Sequence, residues 1–386
     1  MPTPDYRLPT IVNKMPGFRR YTKRLFIYAN GILAFLFLLA CLVPVINPRS
    51  WWWFVSFLGL AFPFLLFVLV IFLLGWLIVS PKYALISGIA LLIGYKSVSV
   101  FFAFHSPGIF KYAKEPGVIR VVNWNVARFI EMKRNNNKGS QTRLRMLELL
   151  RQQDADILCL QEFFHSVDSG YYLNIDYVRN QLGYPYWYYS HDNDGDKHYT
   201  GNIIFSRYPI VDSGLVRYPR PTLPEALIHA DIRINGDTIR VHNTHLQSVQ
   251  FGKRDYQRIS KIESMEDSMV LNSRTILSKI KRGFTHRSIQ ADIIREIVGN
   301  SPHPVIFCGD LNDVPNSYTY FTVRGGMQDA FLKRGFGIGR TFAALSPTLR
   351  IDYIFADRNF RVRQFNRIVK NYSDHYMIVA DLEISR

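Results

Sequence analysis

Three long apolar runs, at about 25–46, 52–79 and 83–104, constrain this 386-residue chain more than any other feature. Each reaches the roughly twenty residues a helix needs to cross a bilayer. Three such runs in succession, separated only by short polar breaks, predict three transmembrane helices rather than the buried helices of a soluble core. The second run opens with Trp51, Trp52 and Trp53, aromatic residues of the kind that sit at a membrane interface. The break after it, Ser80-Pro81-Lys82, is a tight turn. Lys96 falls in the second half of the third run, near enough to its end to snorkel outward. The basic start resembles a signal peptide, but two further runs follow and no clear small-residue cleavage site appears.

Charge adds an orientation. The net charge is +17, and residues 1–117 hold 11 Lys/Arg against 2 Asp/Glu, or +9, leaving 36 against 28, or +8, for the remainder. Residues 1–24 carry Arg7, Lys14, Arg19, Arg20, Lys23 and Arg24, which favours a cytoplasmic N-terminus. Three crossings then place residue 105 onward outside the cytoplasmic membrane. Cys41, Cys159 and Cys308 are too few and too scattered for a disulfide framework and read as buried thiols.

Pro107, Gly108, Pro116 and Gly117 mark 105–117 as a linker, and 118–386 reads as one mixed globular domain. Short apolar segments predict strands at 118–124, 157–160, 201–206, 227–234, 238–243, 305–309, 350–355, 362–369 and 377–383. Asn235-Gly236 between two of them is the signature of a type I′ hairpin. Leu144, Met146, Leu147, Leu149 and Leu150 predict a helix over 142–151. A long basic helical stretch is expected over about 254–299. It is a solvated amphipathic helix or, on a sharper reading, a surface for anionic head groups or a polyanion. The acidic run at 191–196 imitates a calcium loop, but its glycine is one place early and Ile203 stands where a bidentate Glu is required, so a hairpin loop is expected.

Polar residues gather at the strand ends. Val305-Ile306-Phe307-Cys308-Gly309 runs into Asp310, Asn312 and Asp313, and Asp310 and Asn312, two apart, share a side. Asn125 follows a strand, as does Glu162 after Cys159-Leu160-Gln161. His245 closes Asn243-Thr244-His245-Leu246, Asp352 sits in Arg350-Ile351-Asp352-Tyr353, and Asp374-His375 follows Ser373. Any one of these has a turn-forming explanation.

Together and in order, the words N-V, L-Q-E, S-R-Y-P, T-H-L, G-D-L-N-D, R-I-D-Y and S-D-H resemble the endonuclease/exonuclease/phosphatase superfamily, over about 118–385. The resemblance implies an α/β (α+β) fold, a four-layer sandwich of two β-sheets flanked by helices. It implies a phosphoric ester hydrolase, with Glu162, Asn125 and Asp374 in the region of a Mg²⁺ or Mn²⁺ ion. His375 would activate water as general base, Asp352 would orient it, and Asp310 would position the nucleophile. Asn312 would donate to a phosphoryl oxygen, and His245 would support the transition state or leaving group. His245 resembles the diesterase branches, which favours a phosphodiester over a phosphomonoester. Arg350-Ile351-Asp352-Tyr353 departs from the W-C-D-R of inositol-polyphosphate phosphatases. Val126-Ala127-Arg128-Phe129 departs from the abasic-site endonucleases. The expected partners are a phosphate-ester substrate, either nucleic acid or a phospholipid head group, and membrane lipids, with no protein partner. The competing class is a non-catalytic membrane scaffold of the same fold.

Overall fold

The computed structural model describes residues 16–105, 108–221, 225–249, 251–252, 255 and 269–385. Arg7 and Lys14, and the Lys253, Arg254, Arg258 and Lys261 part of the basic stretch, lie outside the described residues. The apolar runs form helices α1 (Pro16–Ala40), α2 (Ser56–Val79), α3 (Pro81–Ile93) and α4 (Tyr95–Phe101). Two helical stretches, Arg20–Val45 and Trp53–Val79, are long and apolar enough to cross a membrane, and α3 with α4 reaches that length only as a pair bent by 71°. The bend falls at Gly94, where a Cβ would lie 2.5 Å from Phe37 Cε1 and 2.8 Å from Cys41 Sγ. Close approach of α1 therefore requires a glycine there. Phe37, Phe62 and Phe101 pack as consecutive ring pairs inside the helices. The buried Ser87 hydroxyl donates to Asn30 Oδ1 at 2.8 Å, so α3 and α1 satisfy each other's polar groups.

The globular part holds two six-stranded sheets, as its run of short apolar strands predicts. The strands of these two sheets are β1 (Val118–Asn125), β2 (Ile157–Gln161), β3 (Tyr186–Tyr189), β4 (Ile203–Ser206), β5 (Ile210–Arg217), β6 (Ala226–Ile234), β7 (Asp237–His245), β8 (Val305–Asp310), β9 (Gln328–Asp329), β10 (Asp352–Ala356), β11 (Phe360–Ile368) and β12 (Met377–Ile384). The first sheet has the order β11-β12-β1-β2-β4-β3 and the second β9-β10-β8-β7-β6-β5. Val121, Cys159 and Ile204 of the first sheet meet Ile228, Ile306 and Ile354 of the second in one buried core. On the outer face of the first sheet, Trp124 and Phe205 pack with Met146 and Leu150 of helix α5 (Thr142–Gln152). On the outer face of the second, Phe307 and Phe355 pack with Ile294 of α7 (Met269–Gly299) and Tyr320 of α8 (Tyr318–Arg324); α6 (Asn174–Gln181) covers the first sheet beside α5. Helix, sheet, sheet and helix make the expected four layers. The Asn235-Gly236 hairpin joins β6 to β7 with both residues at positive φ. The 191–196 segment is a hairpin loop in which Asp192 pairs with Thr200.

The apolar helices dock on the second sheet's side of the sandwich. Asn316 Nδ2 donates to the Ala40 carbonyl at 3.0 Å, and Arg350 Nη2 to the Val100 carbonyl at 2.7 Å. Arg49 pairs with Asp292 of α7, Phe57 meets Phe284 edge-on with centroids 5.5 Å apart, and Ala103–Phe104 pairs as a short strand with Phe336–Gly337. Arg350 is also paired with buried Asp329 at 2.6 Å, so the residue that begins the R-I-D-Y word ties the sandwich to α4.

Candidate active site

Strand direction decides which polar residues can meet. β1 and β2 run parallel, as do β7 and β8, so Asn125, Gln161, His245 and Asp310 all end at one edge of the sandwich. β10 runs antiparallel to β8 with Asp310 opposite Asp352, so the first residue of β10 joins that edge. β12 runs antiparallel to β1, and His375 lies just before its start. Buried amides bridge the sheets beneath this edge. Gln161 Nε2 donates to Asn123 Oδ1 and Asn243 Oδ1, both at 2.6 Å, while Asn243 Nδ2 satisfies the Leu160 and Ile203 carbonyls. Gly309 is needed in the same layer, because a Cβ would lie 2.7 Å from the Thr244 carbonyl oxygen.

All eight residues singled out in the sequence meet here. His375 Nδ1 faces Asp352 Oδ2 at 2.9 Å and Oδ1 at 3.1 Å, and its Nε2 lies 3.6 Å from Asp310 Oδ2. The ring is held edge-on by Phe342, with centroids 5.0 Å apart, and Trp124 Nε1 donates to the His375 carbonyl. His245 Nε2 lies 3.5 Å from Asp310 Oδ2 and 3.9 Å from Glu162 Oε1. Asn125 Nδ2 donates to Glu162 Oε1 at 3.1 Å and Asp310 Oδ2 at 3.2 Å, and its Oδ1 accepts the Ala127 N–H. Asn125 therefore faces the carboxylates as a donor. Asn312, at φ +50°, gives its backbone N–H to Asp310 Oδ1 and one amide N–H to the Leu246 carbonyl. Asp374 is exposed on the rim, its Oδ1 accepting from Ser373 Oγ.

The electrostatics follow from crowding. Burial pushes the Asp310 carboxyl up to about 6, against the pull of His375 and His245 and with Asp352 adding to the push. Burial works against a charged His375, but Asp352 and Asp310 overcome it and hold the ring up to about 10. His245 is raised in the same way, burial opposing and Glu225, Asp310 and Glu162 prevailing. Glu162 is held below its ordinary range, since His245 and the Asn125 N–H outweigh burial. Asp310, Asp352 and His375 present ligand atoms all within 4.8 Å of one another. Carboxylates this close repel one another, and a hard divalent cation near Glu162 and Asp310 fits the oxygen-rich donor set and offsets that repulsion.

The sequence assigns no role to Ser373 of the S-D-H word and does not point to Glu225. Ser373 Oγ donates to the Asn125 carbonyl and accepts the His375 N–H, fixing the loop that carries the histidine. Glu225 faces His245, and burial pushes its carboxyl up to about 7. It precedes a strand rather than ending one. Register read back from the Asn235-Gly236 turn pairs Leu227 with Thr244 and so brings Glu225 to the site edge.

A family model described as "Endonuclease/Exonuclease/phosphatase family" matches residues 122–375, and another, a domain of unknown function, matches 23–101. No curated protein matches the chain. Similar solved structures include an endonuclease/exonuclease/phosphatase from Beutenbergia cavernae, 19% identical over 69% of this chain and 72% of that one, TM-score 0.49. The catalytic domain of human nocturnin with a bound sulfate anion is 20% identical over 69% and 94%, TM-score 0.48. An endonuclease/exonuclease/phosphatase from Bacteroides vulgatus is 19% identical over 69% and 99%, TM-score 0.46.

Proposed function

This chain belongs to the endonuclease/exonuclease/phosphatase family, and we propose that it is a metal-dependent phosphoesterase, anchored in a membrane, that hydrolyses a phosphodiester. The observation that carries this reading is the buried Asp352–His375–Asp310 relay, with His245 and Glu162 completing the cleft. A Mg²⁺ or Mn²⁺ ion, held by Glu162 with Asn125 and Asp374 nearby, would supply positive charge to offset the developing phosphorane.

The protein groups divide the proton work. Asp352 accepts the Nδ1–H of His375 and fixes the ring, leaving Nε2 directed at Asp310. With the ring held up to about 10 and Asp310 pushed up to about 6, the two face each other at neutral pH as imidazolium and carboxylate. The resemblance makes His375 the general base, with Asp352 orienting it and Asp310 positioning the nucleophile. The charges instead favour the pair: Asp310 Oδ2 accepts the proton of the attacking water, and the His375 imidazolium faces the charge that builds on phosphorus. One water adds, one P–O ester bond breaks, and a phosphomonoester and an alcohol leave. His245, also held toward its charged form, returns a proton to the departing oxygen. Asn312 retains an amide N–H for a phosphoryl oxygen.

The helices suggest the side of the membrane. Lys23 and Lys82 stack on Tyr83 at the end of the helices where α2 turns into α3. The sandwich docks at the other end, through Ala40, Gly59 and Val100. With the basic end cytoplasmic, the sandwich lies outside the cytoplasm. The full chain in detergent is expected to hydrolyse bis-p-nitrophenyl phosphate only with Mg²⁺ or Mn²⁺ added and to lose that activity on chelation. Hydrolysis undiminished by chelator would remove the metal from the reading. Degradation of the sandwich by protease confined to the cytoplasmic side would reverse the topology.

A further inference from the structure

The cleft that holds the candidate catalytic groups does not stop at the sheet edge. It is one space of about 730 Å³, with Glu162, Asp310 and His375 at one end and Leu60, Phe64, Ile276 and Phe284 along the other. Leu60 and Phe64 are four apart on α2 and share one face of it. They belong to the stretch Trp53–Val79, apolar and long enough to cross a membrane. Ile276 and Phe284 belong to α7 of the sandwich, and Phe284 is fastened to α2 through Phe57. One wall of the catalytic cleft is thus a helix whose remaining surface suits a bilayer.

We infer that the phosphate ester this chain acts on is a lipid, its phosphate at the Asp310–His375 edge and its hydrocarbon tail between α2 and α7. The inference rests on the phosphoesterase reading and narrows it to one substrate class. A polar substrate gains nothing from a wall of leucine, isoleucine and phenylalanine, whereas a hydrocarbon chain exchanges one apolar surrounding for another on moving from bilayer to cleft. Phe64 is 56% exposed, so the wall is open toward the surroundings of α2 rather than closed by protein. A single-stranded nucleic acid would need cations tracking its backbone. Among the described lining residues the one arginine, Arg287 beside the tail wall, is already held by Asp313 at 3.2 Å and by the Gln247 carbonyl at 3.0 Å.

The test uses the full chain in detergent micelles at fixed detergent concentration, with alkyl p-nitrophenyl phosphodiesters from butyl to dodecyl. We expect kcat/KM to rise at least about tenfold along the series. In a Leu60→Gln/Phe64→Gln variant that rise should collapse to about threefold or less, although partition into the micelle is the same. A dodecyl ester bearing a terminal diazirine should label α7 peptides that contain Ile276 or Phe284. Excess dodecyl ester should suppress that label, and butyl ester should not. Turnover of every ester without dependence on chain length, or label confined to α1–α3, overturns the lipid assignment and leaves the phosphoesterase reading standing. Preferential cleavage of single-stranded DNA over the dodecyl ester overturns it as well. Label on α7 with no hydrolysis of any ester keeps the tail site and overturns the phosphoesterase reading.

Discussion

His242 and His375 are both buried, and their surroundings drive them in opposite directions. His242 sits on β7 on the outer face of the second sheet, 5.8 Å by ring centroid from His229 and 6.4 Å from Phe307, and among the described residues neither ring nitrogen has a hydrogen-bond partner. Burial, helped by His229 and Arg240, pushes it down to about 3. His375 sits at the edge of the sandwich, and two carboxylates hold it up to about 10. Burial discharges a histidine unless an acceptor is buried with it. His245, three residues beyond His242 on the same strand, falls on the charged side of that divide because the strand has reached the edge where the carboxylates collect.

The largest effect should come from removing the shared acceptor. Asp310→Asn is expected to lower kcat on bis-p-nitrophenyl phosphate by roughly three orders of magnitude or more, with His375→Ala alike. A loss of less than about tenfold in both would end the proton relay. Asp352→Asn leaves the ring in place but deprives it of its strongest support, so a loss on the order of a hundredfold is expected. The His375 resonance followed by NMR should then titrate at clearly lower pH than in the parent chain. The stability linkage has the same root. Because the folded-state value of His375 is raised from 6.5 to about 10, its contribution is fully present below pH 6.5 and is lost as pH rises through about 10. Asp352→Asn should flatten that alkaline loss in denaturation midpoints.

Glu225→Gln should act more weakly, by roughly three- to tenfold, because Glu225 supports His245 together with two other carboxylates. The alkaline limb of its kcat/KM profile should move to lower pH, and an unmoved limb would make Glu225 a packing residue. His242→Phe should barely touch activity. The folded value of His242 lies below its ordinary 6.5, so its unfolded ring binds a proton that the folded one refuses, and stability falls as pH drops from 6.5 toward 3. Removing the ring should abolish a slope of roughly 1.4 kcal/mol per pH unit in that window. An unchanged acid limb in thermal melts would show that His242 is satisfied in a way its surroundings do not reveal.

Much of this molecule was legible in advance, for identifiable reasons. A short apolar run between chain breakers marks a strand buried on both faces, and Val305-Ile306-Phe307-Cys308 between Pro304 and Gly309 is legible on that ground. Asn235-Gly236 announced its hairpin because both turn positions need positive φ. Strand ends mark most of the site residues, because side chains there face the crevice at the sheet edge. Glu225 lies instead just before a strand and reaches the same edge only because β6 runs antiparallel to β7. The sequence assigns His375 a base role beside Asp352 and Asp310, but it carries no sign of the proton affinity that Asp310, 65 residues away, alters through space.

The sequence by itself determined the apolar N-terminal helices, the run of strands and the chemical types gathered at their ends. These depend on side chains close together along the chain, where period and composition are enough. Only the tertiary structure decided that Asp310 and His375 face each other 3.6 Å apart, that α3 breaks from α4 at Gly94 against Phe37, and that Leu60 and Phe64 form a wall of the catalytic cleft. Each of those is set by groups far apart in sequence, and burial, charge coupling and close packing act on distance in space, to which the order of residues is blind.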